Sequence, residues 1–267
     1  MPTRLDQIVS ATRRRVAAMR SSGDLPESEM EIRAQTHVPR GFRRALDAKS
    51  KNGTAIIAEL KKASPSRGVI RADFDPERLA VDLEANGAAA LSVLTDEEFF
   101  QGSLANLRLA SAATKLPCLR KDFIVDKFQL LEARANSADA VLLIVAALTQ
   151  DEITSLARGA GDLGLDVLCE VHDKNELQRA LDAGCDTIGV NSRDLRTFEV
   201  DIETAIEMAD LIPKHVLRVA ESGIHTAADI AKLRSAGYQA FLVGESLMKA
   251  ESPAEALHAL LTSEAFC

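Results

Sequence analysis

The run IIAELKKASPSRG (56–68) leaves an apolar stretch carrying a carboxylate, Glu59, and two ammonium groups, Lys61 and Lys62, and then enters a Ser-Pro-Ser turn. In an extended strand alternate side chains share a face, so Glu59 and Lys61 point one way and Leu60 the other. A carboxylate and an ammonium held together out of water can keep opposite protonation states, as a site doing acid and base chemistry in one pocket requires. Other apolar runs end in the same manner. LRKD closes on Arg120, Lys121 and Asp122, and LDVLCEV carries Glu170. Further on come Asn191, Ser192 and Arg193, then Glu221, Ser222 and Gly223, then Gly244, Glu245 and Ser246. Burying such groups costs free energy unless they pair or meet a ligand. Any one of them reads equally well as a structural ion pair; the set, each member at the end of an apolar run, reads as a site. The last two ends add small-residue turns, ESGI and VGESLM, leading into helix starts. Backbone N–H groups at such turns suit an anion, and glycine allows a phosphate to approach closely.

Something must bring these ends to one place. A phrase recurs along the chain: NGAAALSVL ending at Leu94, NSADAVLLI at Ile144, DAGCDTIGV at Val190 and SAGYQAFLV at Val243. Each is a helix end, a turn and a short apolar strand. The spacing of roughly 50 residues is twice that of one strand–helix unit, so a second set should be interleaved. It is found at TAIIAEL (54–60), PCLRKD (117–122), LDVLCEV (165–171) and HVLRVAES (215–222). Amphipathic helical segments lie between, at 76–87, 126–137, 149–164, 173–184 and 226–237. Nearly continuous apolar strands, each followed by a helix, predict a parallel sheet covered by helices. Eight such units predict a closed (β/α)₈ barrel, an α/β fold whose functional groups lie at the C-terminal strand ends, with phosphate at the loops after strands seven and eight. A doubly wound open sheet is the alternative, but no GxGxxG follows the first strand. Residues 1–50 do not fit the repeat. LDQIVSATRRRVAAMR and GFRRALDAK read as two helices joined by a polar, mobile link. The expected organisation is an N-terminal helical extension (1–50) packed on a single barrel (51–267).

Composition narrows the function. The chain has 267 residues, 46% hydrophobic, with a net charge of −8. That acidic balance argues against nucleic acid or an anionic membrane as partner, and an anionic substrate would need a local cationic pocket. Cys118, Cys169, Cys185 and Cys267 form no CxxC pair, so buried thiols in a reducing cytoplasm are expected rather than a metal or redox site. The N-terminus lacks the apolar core of a signal peptide, and no apolar run has the length of a membrane span.

Taken together and in order, IAELKKASPS, FFQGS (99–103), LRKDFIVD, CEVH, IGVNSRDL, VAESGI and FLVGESLM resemble the motifs of the indole-3-glycerol phosphate synthase family. The likeness spans about residues 40–262. It implies closure of an indole ring on 1-(2-carboxyphenylamino)-1-deoxyribulose 5-phosphate with loss of CO₂ and water, in tryptophan biosynthesis, without a cofactor or metal. The substrate carries a carboxylate and a phosphate, which accounts for the cations of the opening run. By the same resemblance Lys121 is the general acid and Glu170 the general base. Lys61 binds the anionic ends and serves as an acid in one step, and Glu59 holds the lysines. Asn191 and Glu221 meet the sugar hydroxyls or the developing charge, and Arg193 orients Asn191 and the substrate. Ser64 and Ser222 bind substrate. Ser222, Gly223, Gly244, Glu245 and Lys61 form the phosphate site, and Phe100, Phe123, Leu142 and Leu242 line the slot for the aromatic ring. Lys62 and Arg120 are expected to be exposed or paired, and His172 to be a loop residue without a catalytic part. Ser192 stands where many relatives carry Asn, and keeps a side chain able to hydrogen bond. The competing expectations are another phosphate-binding barrel such as phosphoribosylanthranilate isomerase, and an inactive scaffold barrel. The resemblance to the synthase family also allows association with other tryptophan-pathway enzymes.

Overall fold

The computed structural model describes residues 3–22, 27–193 and 199–262. Eight strands are β1 (Ala55–Leu60), β2 (Ala90–Leu94), β3 (Cys118–Lys121), β4 (Ala140–Ile144), β5 (Asp166–Val171), β6 (Thr187–Asn191), β7 (Leu217–Glu221) and β8 (Ala240–Val243). All neighbours run parallel, and β1 pairs with β8 to close the barrel. The closed barrel decides against an open sheet. The five predicted helices are present, each slightly shorter than its periodic stretch. Local chemistry sets their ends. The helix Pro76–Ala85 starts with Asp75 accepting from the Glu77 and Arg78 N–H groups, and Gln150–Asp162 starts with a Thr149/Glu152 capping box. Such caps satisfy N–H groups that have no partner within the helix.

Strand alternation makes two cores. Ile56, Ala58 and Leu60 face outward into the layer shared with the helices. Ala55, Ile57, Leu119, Leu142, Leu168, Val219 and Leu242 face inward. The chain's third helix closes the barrel floor. With α1 (Arg4–Ser22) and α2 (Glu27–Thr36) before it, α3 (Phe42–Ser50) inserts Phe42 and Leu46, both fully buried, into the inner core. The barrel is therefore packed below and left open at its C-terminal mouth, where this fold carries its sites.

The link expected to be mobile instead contains α2, whose Met30 and Ala34 pack on Leu131. Its charged residues hid a short apolar face. Arginines pin α1 to the barrel: Arg13 to Glu152 at 2.8 Å, Arg20 to Asp126 at 3.0 Å, and Arg15 to Asp96 and Asp122 at 3.5 and 3.6 Å. Cys118, Cys169 and Cys185 are buried free thiols, while Cys267 lies outside the described residues. Among the described residues no helix is long and apolar enough to cross a membrane.

Alternation on β3 sends Lys121 inward and Arg120 outward. Arg120 is buried and meets Asp122 at 3.0 Å and Glu132 at 2.8 Å. It also donates to Thr95 Oγ1 and to the Gln129 carbonyl. This fully bonded cluster fixes β3 beside the site. Removing one partner leaves buried charges uncompensated, so Arg120→Ala is expected to lower unfolding free energy by about 3–5 kcal/mol. Urea unfolding checks this; a loss within experimental scatter would show that the cluster does not brace β3.

Candidate active site

A cavity of about 470 Å³ opens at the C-terminal ends of the strands, within the range usual for small-molecule sites. All sixteen residues named as site candidates from the sequence line it: Glu59, Lys61, Ser64, Phe100, Lys121, Phe123, Leu142, Glu170, Asn191, Arg193, Glu221, Ser222, Gly223, Leu242, Gly244 and Glu245. Inward alternation explains the convergence of Glu59, Lys121, Leu142, Glu170, Asn191, Glu221 and Leu242; the others come from the segments that follow the strands. Register places Leu94 beside Lys121, Ile144 beside Glu170, and Asn191 beside Glu221, so the uppermost inward layer sets each ionisable group beside an apolar or amide neighbour.

The charged groups form one network. Lys61 Nζ lies 2.6 Å from Glu59 Oε1. Lys121 Nζ stands 3.3 Å from Glu170 Oε2 and 3.8 Å from Glu221 Oε2, reaching across from β3 to β5 and β7. Asn191 Nδ2 donates to Glu170 Oε1 at 3.1 Å. The Asn191 Oδ1 accepts from the Ser222 hydroxyl at 2.8 Å and from the Arg193 backbone N–H at 3.0 Å. Environment separates the protonation states. Burial opposes the Lys121 charge, but Glu170, Glu221 and Glu59 prevail and raise its pKa, so it is an ammonium. Burial likewise opposes the Glu170 charge, but Lys121, His172 and Asn191 hold its pKa well below the usual range. Glu59 is lowered too, against burial, by Lys61 and Lys121. Glu221 goes the other way: burial and then the Glu170 charge push it up to about 8. Its Oε1 is buried without a hydrogen-bond partner. One mouth thus holds an ionised carboxylate, a proton-bearing carboxyl and ammonium groups at neutral pH, the separation that acid–base chemistry needs.

On the β7–β8 side the backbone takes an unusual form. Ser222 and Gly223 both have left-handed φ values, 66° and 75°. A serine there is strained, and such strain gathers at ligand-binding turns. Opposite, Phe100 and Phe123 face each other with ring centroids 6.2 Å apart. In the strand order β3 lies across the barrel from β7, so the aromatic wall and the small-residue turns face each other over Lys121.

Two glycines make room for this network. A Cβ on Gly189 in β6 would collide with Glu221 Oε1, and one on Gly244 would come within 2.9 Å of Glu59 Cβ. Glycine within or at the end of a strand often marks such a close approach. Gly189→Ala is expected to displace Glu221 and lower kcat/KM at least about tenfold, with about 1–3 kcal/mol of overpacking cost. Paired kinetic and thermal-unfolding measurements check both effects; an unchanged kcat/KM would show that the position of Glu221 is unimportant.

Several features were not found from the sequence. Arg4, Leu5 and Ile8 of α1 line the mouth, although nothing in their types marks them. The turn after β1 holds a small hairpin, Ala63–Ser64 with Gly68–Val69. Arg67 reaches from it to Glu245 at 3.3 Å, and Glu245 also lies 3.5 Å from Arg193. His172 is no bystander: its Nε2 lies 3.4 Å from Glu170 Oε1. The Ser192 hydroxyl is buried without a hydrogen-bond partner, so the capacity expected of it is not used here.

Fold and mouth together define a class: a (β/α)₈ enzyme barrel with its reactive groups at the C-terminal face. The family profile for indole-3-glycerol phosphate synthase matches residues 5–260. The chain is 57% identical to the indole-3-glycerol phosphate synthase of Koribacter versatilis, over 98% of this chain and 100% of that one. It is 50% identical to that of Burkholderia ambifaria, over 95% of this chain and 97% of the other. Among solved structures it is similar in fold to a thiamine phosphate pyrophosphorylase from Pyrococcus furiosus, with a TM-score of 0.59 and 17% identity over 79% of this chain and 95% of that one. The chain belongs to the indole-3-glycerol phosphate synthase family, enzymes of the carboxy-lyase class. Neither the isomerase nor the scaffold reading is favoured beside that membership.

Proposed function

We propose that this barrel closes the indole ring of 1-(2-carboxyphenylamino)-1-deoxyribulose 5-phosphate, releasing CO₂ and water, with Lys121 as general acid and Glu170 as general base. The observation carrying this reading is Lys121 set between two carboxyl groups of opposite tendency, Glu170 held ionised and Glu221 holding a proton. The phosphate would sit at the Ser222–Gly223 turn and the Gly244–Glu245 turn, with Ser64 and Lys61 from the β1 side. The aromatic ring would lie against Phe100, Phe123, Leu142 and Leu242. The carbon skeleton then spans the mouth over Lys121.

The reaction follows from these placements. The ring carbon attacks the ribulose carbonyl, and the Lys121 ammonium delivers a proton to the oxygen as charge develops there. Loss of CO₂ restores the aromatic ring. The hydroxyl then leaves as water with a proton from an acid, while Glu170 removes a proton from the substrate. Lys61, neutralised in part by Glu59, holds the anionic ends and serves as an acid in one of the two steps. Arg193 aligns Asn191 through its backbone N–H. A protonated Glu221 can donate to a substrate hydroxyl, whereas its anion would face an anionic substrate. The proposal needs no cofactor or metal: it places the protein in the cytoplasm, acting on a small anionic molecule, with no nucleic acid or membrane partner. It includes association with neighbouring pathway enzymes, and residues 1–50 as an extension to a barrel of residues 51–267.

The state of Glu221 gives a pH test. Its pKa is pushed up to about 8 in the free protein, so its proton is present below that pH and lost above it. The free-enzyme profile, kcat/KM, should therefore fall above about pH 8, and Glu221→Gln should remove this limb while lowering the plateau. A limb that persists unmoved in Glu221→Gln would assign it to another group. Phosphoribosylanthranilate offered to the same preparation should remain unchanged; its isomerisation would favour the rival barrel.

A further inference from the structure

Glu170 owes its orientation to more than Lys121 and Asn191. β5 ends at Val171, and His172 is the next residue. Its backbone N–H donates to Glu176 Oε2 at 2.8 Å, and its Nδ1 lies 3.0 Å from the same oxygen. Glu176 belongs to the first turn of the helix Lys174–Asp182. This double hold fixes the ring, and its Nε2 comes to face Glu170 Oε1 at 3.4 Å. That nitrogen is buried and makes no formed hydrogen bond, so it meets the carboxylate as an ion pair. Oε1 of Glu170 also takes the Asn191 amide, leaving Oε2 toward Lys121 and the cavity.

We propose that His172, anchored by Glu176, is a positioning residue for Glu170: it holds Oε1 still, presents Oε2 to the substrate, and sets how readily the carboxylate takes a proton. The inference rests on the assignment of Glu170 as the base. Titratable groups face Glu170 from every side: Lys121 on β3, Glu221 on β7, Glu59 on β1, and the His172–Glu176 pair behind it. Burial opposes a charged His172 ring, but the Glu170 and Glu176 carboxylates on either side of it prevail and raise it to about 10. His172 is then a cation throughout the neutral range. An imidazolium beside a carboxylate favours the ionised form, so Glu170 waits unprotonated for the substrate proton although it is buried. A similar arrangement fixes the ring of a metal-bound histidine through its second nitrogen; here the ring fixes a carboxylate.

A cap on the following helix would have no effect on the pH profile, whereas the proposed role does. The test measures kcat and KM across pH for the full chain and for His172→Ala, His172→Gln and Glu170→Gln, with thermal unfolding of each. His172→Ala removes a cation, so the Glu170 pKa rises and the acid limb of kcat, far below neutral in the unaltered chain, moves to higher pH. On the plateau kcat should fall about tenfold with little change in KM, a part of the 10²–10⁴ that a positioned base contributes. His172→Gln restores an N–H donor without charge, so its plateau should recover while its limb stays displaced. If His172→Ala folds poorly, His172→Gln alone decides through the limb. A limb at the wild-type pH in the histidine variants, beside an inactive Glu170→Gln, overturns the role of His172 and leaves the base in place. A Glu170→Gln enzyme with wild-type kcat overturns both.

Discussion

Lys121→Ala is expected to lower kcat at least about a hundredfold, the low end of what one positioned acid contributes, or roughly 3 kcal/mol of barrier. KM should change much less. The lost interaction grows as negative charge develops on the carbonyl oxygen, and an interaction made in the transition state is read in kcat. Two features make this lysine the acid. It lies across the mouth between Glu170 and Glu221, under the line joining the small-residue turns to the aromatic wall. It is also firmly protonated, since three carboxyl groups outweigh its burial. Lys61 should behave differently. It sits on Glu59 at the first strand end and meets the ground-state anions, so Lys61→Ala should raise KM as well. Near wild-type kcat with only a raised KM in Lys121→Ala would pass the acid's role to Lys61.

Glu170→Gln should be as damaging, by about a hundredfold or more in kcat, and should fail at a different point. Glutamine preserves the shape and much of the bonding to Asn191 and Lys121 but cannot accept a proton. Ring closure needs the acid first, so the variant should still bind substrate and begin the reaction. It should then stall after ring closure or decarboxylation and accumulate an intermediate visible by rapid quench. Complete turnover at the wild-type rate would show that another group removes the proton. Glutamine does not ionise in the working range, so the defect should not be rescued by raising pH.

Strand alternation is the reason so much of the site can be read from sequence. A polar residue on the inward face at the end of an apolar run comes to the mouth once the sheet closes, and Glu59, Lys121, Glu170, Asn191 and Glu221 all obey this. Phe100 and Phe123 required the resemblance, since loop aromatics have no periodicity of their own. Arg4 and Ile8 could not be seen: which face of α1 covers the mouth depends on arginine pairs to Asp96, Asp122 and Glu152, contacts between residues far apart in the chain. α2 escaped because Glu, Arg and Gln dominate its ten residues, leaving only Met30 and Ala34 to mark a buried side. His172 follows the end of its strand and reads as a loop residue, although alternation puts it on the face of Glu170; Glu176, four residues on, holds its ring there. Gly189 carries no mark of its own in the sequence, and only the space taken by Glu221 explains it.

The most direct measurement is a single turnover of the purified chain on 1-(2-carboxyphenylamino)-1-deoxyribulose 5-phosphate in EDTA, with indole fluorescence and CO₂ release recorded together. One indole and one CO₂ per substrate consumed is the expected result, unchanged when divalent ions are added. Absence of indole fluorescence while the protein remains folded, or activity restored only by a divalent ion, would contradict metal-free ring closure by Lys121 and Glu170.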